Sequence, residues 1–381
     1  MSAGPVASRI AVAAALDERS ARILLARLAE PGDKAVAAEL DRIGYVRVIE
    51  EMAAGSGALD RLRPRLARLR RGEEWIDDRH IAERLGARIL TPADAEWPAG
   101  LNDLEQPPHC LWVRGSAALA AVCRRSVAVV GSRTATAYGV DRSGEIAAGL
   151  SERGFTIVSG AAFGIDAAAH RGALAAEGVT IAVLACGIDR AYPAAHATLL
   201  AEIARAGAVV TELPPGSAPF RGRFLQRNRL IAAMTRGVIV VEAALRSGSL
   251  ATAGSAITLG RPVGAVPGPV TSMASAGCHQ WIRDQKAMLV TDSAEAADLV
   301  GDLGRDAAEA PRGEDVASDV LPPEQWAVWE VLPLRHAASV EAIAERCARE
   351  PAAVRAALGS LELAGLAARV EGRWRRPSKV G

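Results

Sequence analysis

Apolar positions along the chain fall into several successive patterns. Over residues 1–71 they recur at helical spacing. Ile23, Leu24 and Leu28 share one side of a segment from Glu18 to Ala29, and Val36, Leu40 and Ile43 do so from Asp33 to Ile43. Pro31-Gly32 and Gly44 interrupt the pattern, so a small helical bundle is expected here. It closes on LDRLRPRLARLRR, in which Arg61, Arg63, Arg65, Arg68, Arg70 and Arg71 alternate with leucine. Such a run is either a basic contact surface for nucleic acid or else the solvated face of an amphipathic helix or a linker. Residues 72–125 are mixed. Prolines at 92, 98, 107 and 108 cut them into turns around one extended piece, Leu111 to Val113.

The pattern changes at Ser126. Short apolar runs recur at Val127–Val130, Thr156–Val158, Ile181–Leu184, Ala208–Val210, Val238–Val241, Val263–Val266 and Met288–Val290. They are rich in β-branched residues and do not alternate, which marks strands buried on both faces. Alanine-rich segments of helical spacing lie between them, including Ser143–Ser151, Asp166–Ala176 and Ala195–Arg205. An α/β fold is expected, a Rossmann-like doubly wound parallel sheet within residues 72–300.

Residues 301–321 turn acidic, with Asp302, Asp306, Glu309, Glu314, Asp315 and Asp319 set against Arg305 and Arg312, and read as a linker. Residues 322–381 form a separate unit. Ser339–Arg349 and Pro351–Leu363 carry helical spacing, and Leu366–Val370 with Arg373–Arg376 reads as a hairpin around Glu371-Gly372. Helix, helix-turn-helix and hairpin predict a winged helix.

Composition adds constraints. Half of the 381 residues are hydrophobic and the formal net charge is +1, so a nucleic-acid partner needs a local basic patch. The five cysteines are scattered without ligand spacing, which argues against structural zinc and suits a reducing cytoplasm. No signal-peptide pattern stands at the N-terminus, and no charge-free run approaches the ~20 residues that span a bilayer. A cytoplasmic protein without a membrane segment is expected.

The candidate chemistry gathers at strand ends, where open parallel sheets bind ligands. Gly131-Ser132-Arg133 follows the first buried strand, Ser159 to Asp166 follows the second, and Ser247-Gly248-Ser249 with Thr252 follows a later one. Gly160 and Gly164 leave backbone N–H groups free to face a ligand. Between these loops lie Arg221, Arg223, Arg227 and Arg229, interleaved with Phe220, Phe224 and Asn228. Arginine beside aromatic rings binds phosphate and stacks on bases. Together these features favour a phosphate-bearing ligand. Neither GxxxxGK[ST] nor a GxGxxG after the first strand is present, so neither an ordinary P-loop ATPase nor a dinucleotide cofactor is indicated, and no cofactor or metal is expected. His170, four residues after Asp166, is either half of a ligand or acid–base pair or a core residue. Glu242, at a strand end, is the carboxylate expected to face the pocket.

The segments AVVGSRTATAYG, VSGAAFGIDAAAHRGAL, IAVLACGIDRAYP, FLQRNRLIA, VIVVEAALRSGSLATA and RPVGAVPG resemble the DNA-processing protein A family, DprA/Smf, and occur in its order. The chain departs from the family pattern at Phe163, where arginine is frequent, at Leu225, where proline is usual, and at Cys186, His279 and Gln285. The resemblance implies a mediator of natural transformation and DNA recombination. Such a protein is not an enzyme; it binds single-stranded DNA, protects it, loads the RecA recombinase and acts as a homodimer through the Rossmann-like domain. It also implies a sterile-alpha-motif-like domain over residues 1–71. In the site it implies, Arg133 and Arg221 clamp phosphates, with Arg223 and Arg227 beside them. Ser132, Gly160, Gly164, Gly248 and Ser249 offer donors, Asn228 and Arg229 line the floor or orient loops, and Phe224 stacks on a base. The alternative is a nucleotide-processing hydrolase of the lysine-decarboxylase-like type. Those enzymes carry PGGxGTxxE, where this chain has SGSLATAGSA without the acid.

Overall fold

The structure, a computed structural model, describes residues 16–71, 78–309 and 321–377, without the side chains of residues 69–71. The chain divides into two compact units between Ala308 and Glu309.

In the first unit, helix α1 (Glu18–Leu28) starts at Asp17, whose side chain accepts from the Ser20 N–H. Helix α2 (Lys34–Ala54) is capped likewise by Asp33. Gly44 kinks α2 rather than ending it: its backbone leaves helical geometry at φ 75°, and the helix resumes to Ala54. Helix α3 (Arg63–Arg71) carries much of the basic run. Two arginines of that run serve the bundle: Arg61, just before the helix, pairs with Asp33 at 2.5 Å, and Arg65 donates to the Leu28 carbonyl at 2.8 Å. Helix α1 is buried on two sides. Leu25 and Leu28 pack with Val36, Ile49 and Leu62, whereas Ile23 and Ala26 pack with Trp112 and Val209 of the sheet. Helix α4 (Asp78–Arg84) reinforces that seat through the ion pair of Asp78 with Arg27.

The sheet has nine strands in the order β1-β2-β6-β5-β4-β3-β7-β8-β9. Strands β1 (Ala87–Leu90) and β2 (Leu111–Arg114) are antiparallel, and β2 pairs antiparallel with β6 (Ala208–Thr211). The sequence pattern predicts the extended piece at 111–113 but not β1, because turns crowd the stretch between them. From β6 through β5 (Thr180–Val183), β4 (Thr156–Ser159), β3 (Ser126–Val130), β7 (Val238–Val240), β8 (Val263–Ala265) and β9 (Met288–Leu289), every pairing is parallel.

Strand β3 shows why these runs do not alternate. Val127 and Val129 pack against Ile146 and Leu150 of helix α5 (Ala137–Glu152). Ala128 and Val130 pack against Leu230 of helix α6 (Arg221–Ala233) and Ala253 of helix α7 (Ser249–Thr258) on the other face. Strand β9 departs from the pattern. It is the sheet edge, and Met288 and Leu289 are exposed. The chain runs outward from β3 through β6 and then returns to β7 on the far side of β3. That reversal opens a crevice at the carboxyl ends.

The expected linker at 301–321 lies outside the described residues from 310 to 320. Its start is pinned rather than free: Asp306 takes both ends of the Arg125 guanidinium, at 2.6 and 2.9 Å, and Arg236 donates to Asp302 at 2.8 Å.

The second unit packs helices α8 (Pro323–Val331), α9 (Val340–Cys347) and α10 (Pro351–Leu363) around Ile343, Val354, Leu358 and Trp374. Strands β10 (Ala368–Val370) and β11 (Arg373–Arg375) form the wing, joined through Glu371 and Gly372, both at positive φ. The winged helix therefore forms where the periodicity predicts it.

Candidate nucleic-acid interface

A cleft of about 790 Å³ opens where β3, β4, β5, β6 and β7 end. Its wall includes Ser132, Arg133, Arg221, Phe224, Arg227, Asn228, Gly248 and Ser249, which the sequence nominates for the site.

Each loop is held by a separate device. After β3, the Ser132 N–H donates to the Glu242 carbonyl at 2.7 Å. The Glu242 carboxylate accepts from the Thr136 N–H at 3.0 Å and from its hydroxyl at 2.6 Å. Glu242 is 1% exposed and ties the loop to β7. It does not face the cleft as a base, because its oxygens are spent at the start of α5.

The loop after β4 is held from inside. Asp166 accepts from the Gly160 and Ala162 N–H groups at 3.1 and 3.4 Å, and the Ile165 N–H donates to the Ser132 carbonyl at 3.2 Å. The Gly160 N–H is therefore committed within the protein, contrary to the expectation that it is free to face a ligand. Arg227 donates to the carbonyls of Gly160 at 2.8 Å and Val183 at 2.5 Å. A Cβ on Gly160 would lie 2.1 Å from the Arg227 Nη1, so this close approach requires glycine. Burial pushes the Asp166 carboxyl up and the Arg227 guanidinium down to about 10, and each charge draws the other back. Arg227 is thus a buried cation bracing the floor. His170 is a core residue with no exposure; its Nδ1 lies 2.7 Å from the Thr180 hydroxyl, and burial lowers its pKa to about 3.

The loop after β7 is bound to α6. The Asn228 amide donates to the Gly248 carbonyl at 3.2 Å, and the Ser247 and Ser249 hydroxyls are 2.7 Å apart. Asn228 thus orients the loop.

Helix rotation sorts the arginine cluster. Arg221, Phe224, Leu225 and Asn228 stand at i, i+3, i+4 and i+7 and line the cleft. Arg223 turns away and forms a two-point pair with Glu30, both contacts at 2.9 Å. Arg229 pairs with the buried Glu212 and opens onto a separate cavity of about 320 Å³ beside α1 and α2. Gly160 and Gly164 do not line the cleft; Gly164 packs against the Ser132 and Arg133 carbonyls.

The structure adds Tyr192 and Arg246 to the wall and places Phe220 of the arginine–aromatic run there as well. Among the described residues lining the cleft, Arg133, Arg221 and Arg246 are exposed arginines with no ion pair. The Arg133 guanidinium lies 4.6 Å from the Phe224 ring centre, and Tyr192 packs against the same ring at 5.5 Å. Arg246 was legible only as a neighbour of the Ser247-Gly248-Ser249 loop, and Tyr192 only as part of the segment AYP. Arginines without ion pairs in a cleft walled by aromatic rings match phosphate and base chemistry.

Among the described residues no helix is long and apolar enough to cross a membrane. Nor does any group of three His, Cys, Asp or Glu side chains there form a metal cluster.

Residues 88–301 match the family described as DNA recombination-mediator protein A, and residues 312–373 match the DprA winged helix domain. The chain is 46% identical over 362 residues to a putative DNA processing protein DprA of Mycobacterium tuberculosis, covering 92% of each. It is similar to the structure of DNA processing protein A from Streptococcus pneumoniae, with a TM-score of 0.63 and 32% identity, covering 75% of this chain and 99% of that one. A Helicobacter pylori structure, titled for the single-stranded DNA binding mode of its DNA processing protein A, gives a TM-score of 0.50 and 29% identity, covering 54% and 92%. With its Rossmann-like sheet, its winged helix and these matches, the chain belongs to the DNA recombination-mediator protein A family.

Proposed function

We propose that the cleft binds single-stranded DNA and that the protein protects the strand and delivers it to the RecA recombinase in the cytoplasm, as a homodimer, during natural transformation. The observation that carries the reading is the set of exposed arginines without ion pairs, Arg133, Arg221 and Arg246, around a cleft walled by Phe220, Phe224 and Tyr192. Arginines supply the phosphate contacts, and the rings accept bases without regard to sequence. A paired duplex buries its base faces in its own stack, whereas a single strand leaves them free for these rings. The Helicobacter pylori relative, titled as a single-stranded DNA binder, supports the same reading. The delivery step rests on family membership. The homodimer is supported by the exposed edge strand β9, with Met288 and Leu289, on the Rossmann-like sheet.

The test is a gel shift of the purified chain with single- and double-stranded oligonucleotides across a salt series. Single strands bind more tightly, and affinity falls as salt rises. Equal affinity for both forms at moderate salt sinks the reading. Light scattering reports the dimer, and strand exchange with purified RecA reports delivery.

A further inference from the structure

The geometry points to a second base-stacking subsite at Phe220, one helical turn before Phe224, braced from behind by Arg223 and Glu30; it rests on the reading of the cleft as a single-strand site. Phe220 occupies the N-cap of α6 and makes no side-chain cap. That position ordinarily goes to a short polar residue, so local helix chemistry does not call for phenylalanine here. Nor does core packing, since Phe220 is 49% exposed and lines the cleft.

The ring is nevertheless held in place. The Arg223 guanidinium lies 4.7 Å from its centre. Glu30 grips that guanidinium at two points, both 2.9 Å, and the Ala218 carbonyl accepts from it at 2.6 Å. Gly222 supplies the room: a Cβ there would stand 2.8 Å from the Phe220 Cε2. Phe224 is built the same way, with Arg133 at 4.6 Å and Tyr192 at 5.5 Å. Two rings, Phe220 exposed and Phe224 half-buried, each with an arginine against it, thus stand on one cleft wall. Holding a ring in position before binding lowers the entropy lost when a base stacks on it. One ring per base fits a strand whose bases are splayed apart. Arg223, neutralised by Glu30, acts here as a positioning residue and not as a phosphate clamp.

The test uses the full chain, with fluorescence polarisation against an oligothymidylate and an abasic deoxyribose-phosphate strand of equal length. Phe220→Ala lowers affinity for the oligothymidylate about tenfold and leaves the abasic strand unchanged, because only the first has a base to stack. Phe220→Trp keeps the affinity and shows fluorescence quenching on binding beyond that of the parent chain. Gly222→Ala, a helix-favouring change, weakens oligothymidylate binding several-fold with no loss of melting temperature, because it displaces the ring. If Phe220→Ala lowers both strands equally, or neither, the subsite is refuted. The single-strand reading still stands in that case provided Arg133→Ala weakens both strands. Failure of the parent chain to bind either strand removes both proposals.

Discussion

Arg227 and Asp166 grip the same peptide segment from opposite sides. Asp166 accepts from the Gly160 N–H at 3.1 Å, and Arg227 donates to the Gly160 carbonyl at 2.8 Å. The loop after β4 is thereby fixed by two buried charges, and its position does not wait for a ligand. Arg227→Ala leaves the Gly160 and Val183 carbonyls without their donor and removes the cation facing Asp166. The expected loss is about 3 kcal/mol of folding stability. Urea unfolding followed by circular dichroism measures it, and a loss within the error of the fit shows that the brace is dispensable.

The exposed arginines behave differently. Arg133→Ala, Arg221→Ala and Arg246→Ala each weaken single-strand binding by about 1–3 kcal/mol with folding intact. Each also reduces the steepness of the plot of log affinity against log salt by about 0.7, the share of one released counterion. Arg223→Ala leaves that slope unchanged, since Glu30 already neutralises it. A slope change for Arg223 equal to that for Arg133 contradicts this division of the cluster.

Glu242 connects the loop after β3 to the next strand but does not line the cleft. Glu242→Ala strips Thr136 of both contacts and costs about 1–3 kcal/mol of stability. Single-strand affinity falls with it, because Arg133 rides on the released loop. Unfolding curves and polarisation titrations on the same preparation check the coupling; a stability loss with unchanged affinity separates the two.

His170 makes stability depend on pH. Its folded pKa is lowered to about 3 by burial, whereas an unfolded histidine titrates near about 6.5. Below the unfolded value only the unfolded chain takes the proton, so this contribution is fully present above pH about 6.5 and is lost as pH falls toward about 3. At pH 5.5 the loss from this one residue is about 1.4 kcal/mol. His170→Leu flattens the stability profile between pH 7.5 and 5.5 by that amount. An unaltered profile means that His170 titrates in the fold as it does in the unfolded chain.

Removal of residues 320–381 leaves most single-strand affinity intact, because the residues lining the cleft all belong to the first unit. Polarisation on the truncated chain decides it. Near-complete loss of binding with the sheet still folded moves the principal site to the winged helix.

The pattern of the chain already determined the class of fold. Runs such as Val127–Val130 carry no polar face, so they have to be covered by helices on both sides, and they are. Pro351 and the Glu371-Gly372 turn delimit the last helix and wing by local backbone chemistry alone. The glycine and serine loops at strand ends, with arginines and Phe224 nearby, were likewise readable as a site. Strand β1 was not, because a four-residue strand among prolines gains its order from β2 rather than from its own composition.

Tertiary structure alone decided which charges remain for a ligand. Arg221, Arg223, Arg227 and Arg229 look equivalent along the sequence, yet they meet water, Glu30, two buried carbonyls and Glu212 respectively. Helix rotation sets the directions, and the acids come from segments up to 193 residues away. The same holds for Glu242, whose place at a strand end suggested a base until Thr136 took both oxygens. A residue's type and spacing set what it is able to bind. Whether it is already bound depends on long-range partners, and those exist only in the folded chain.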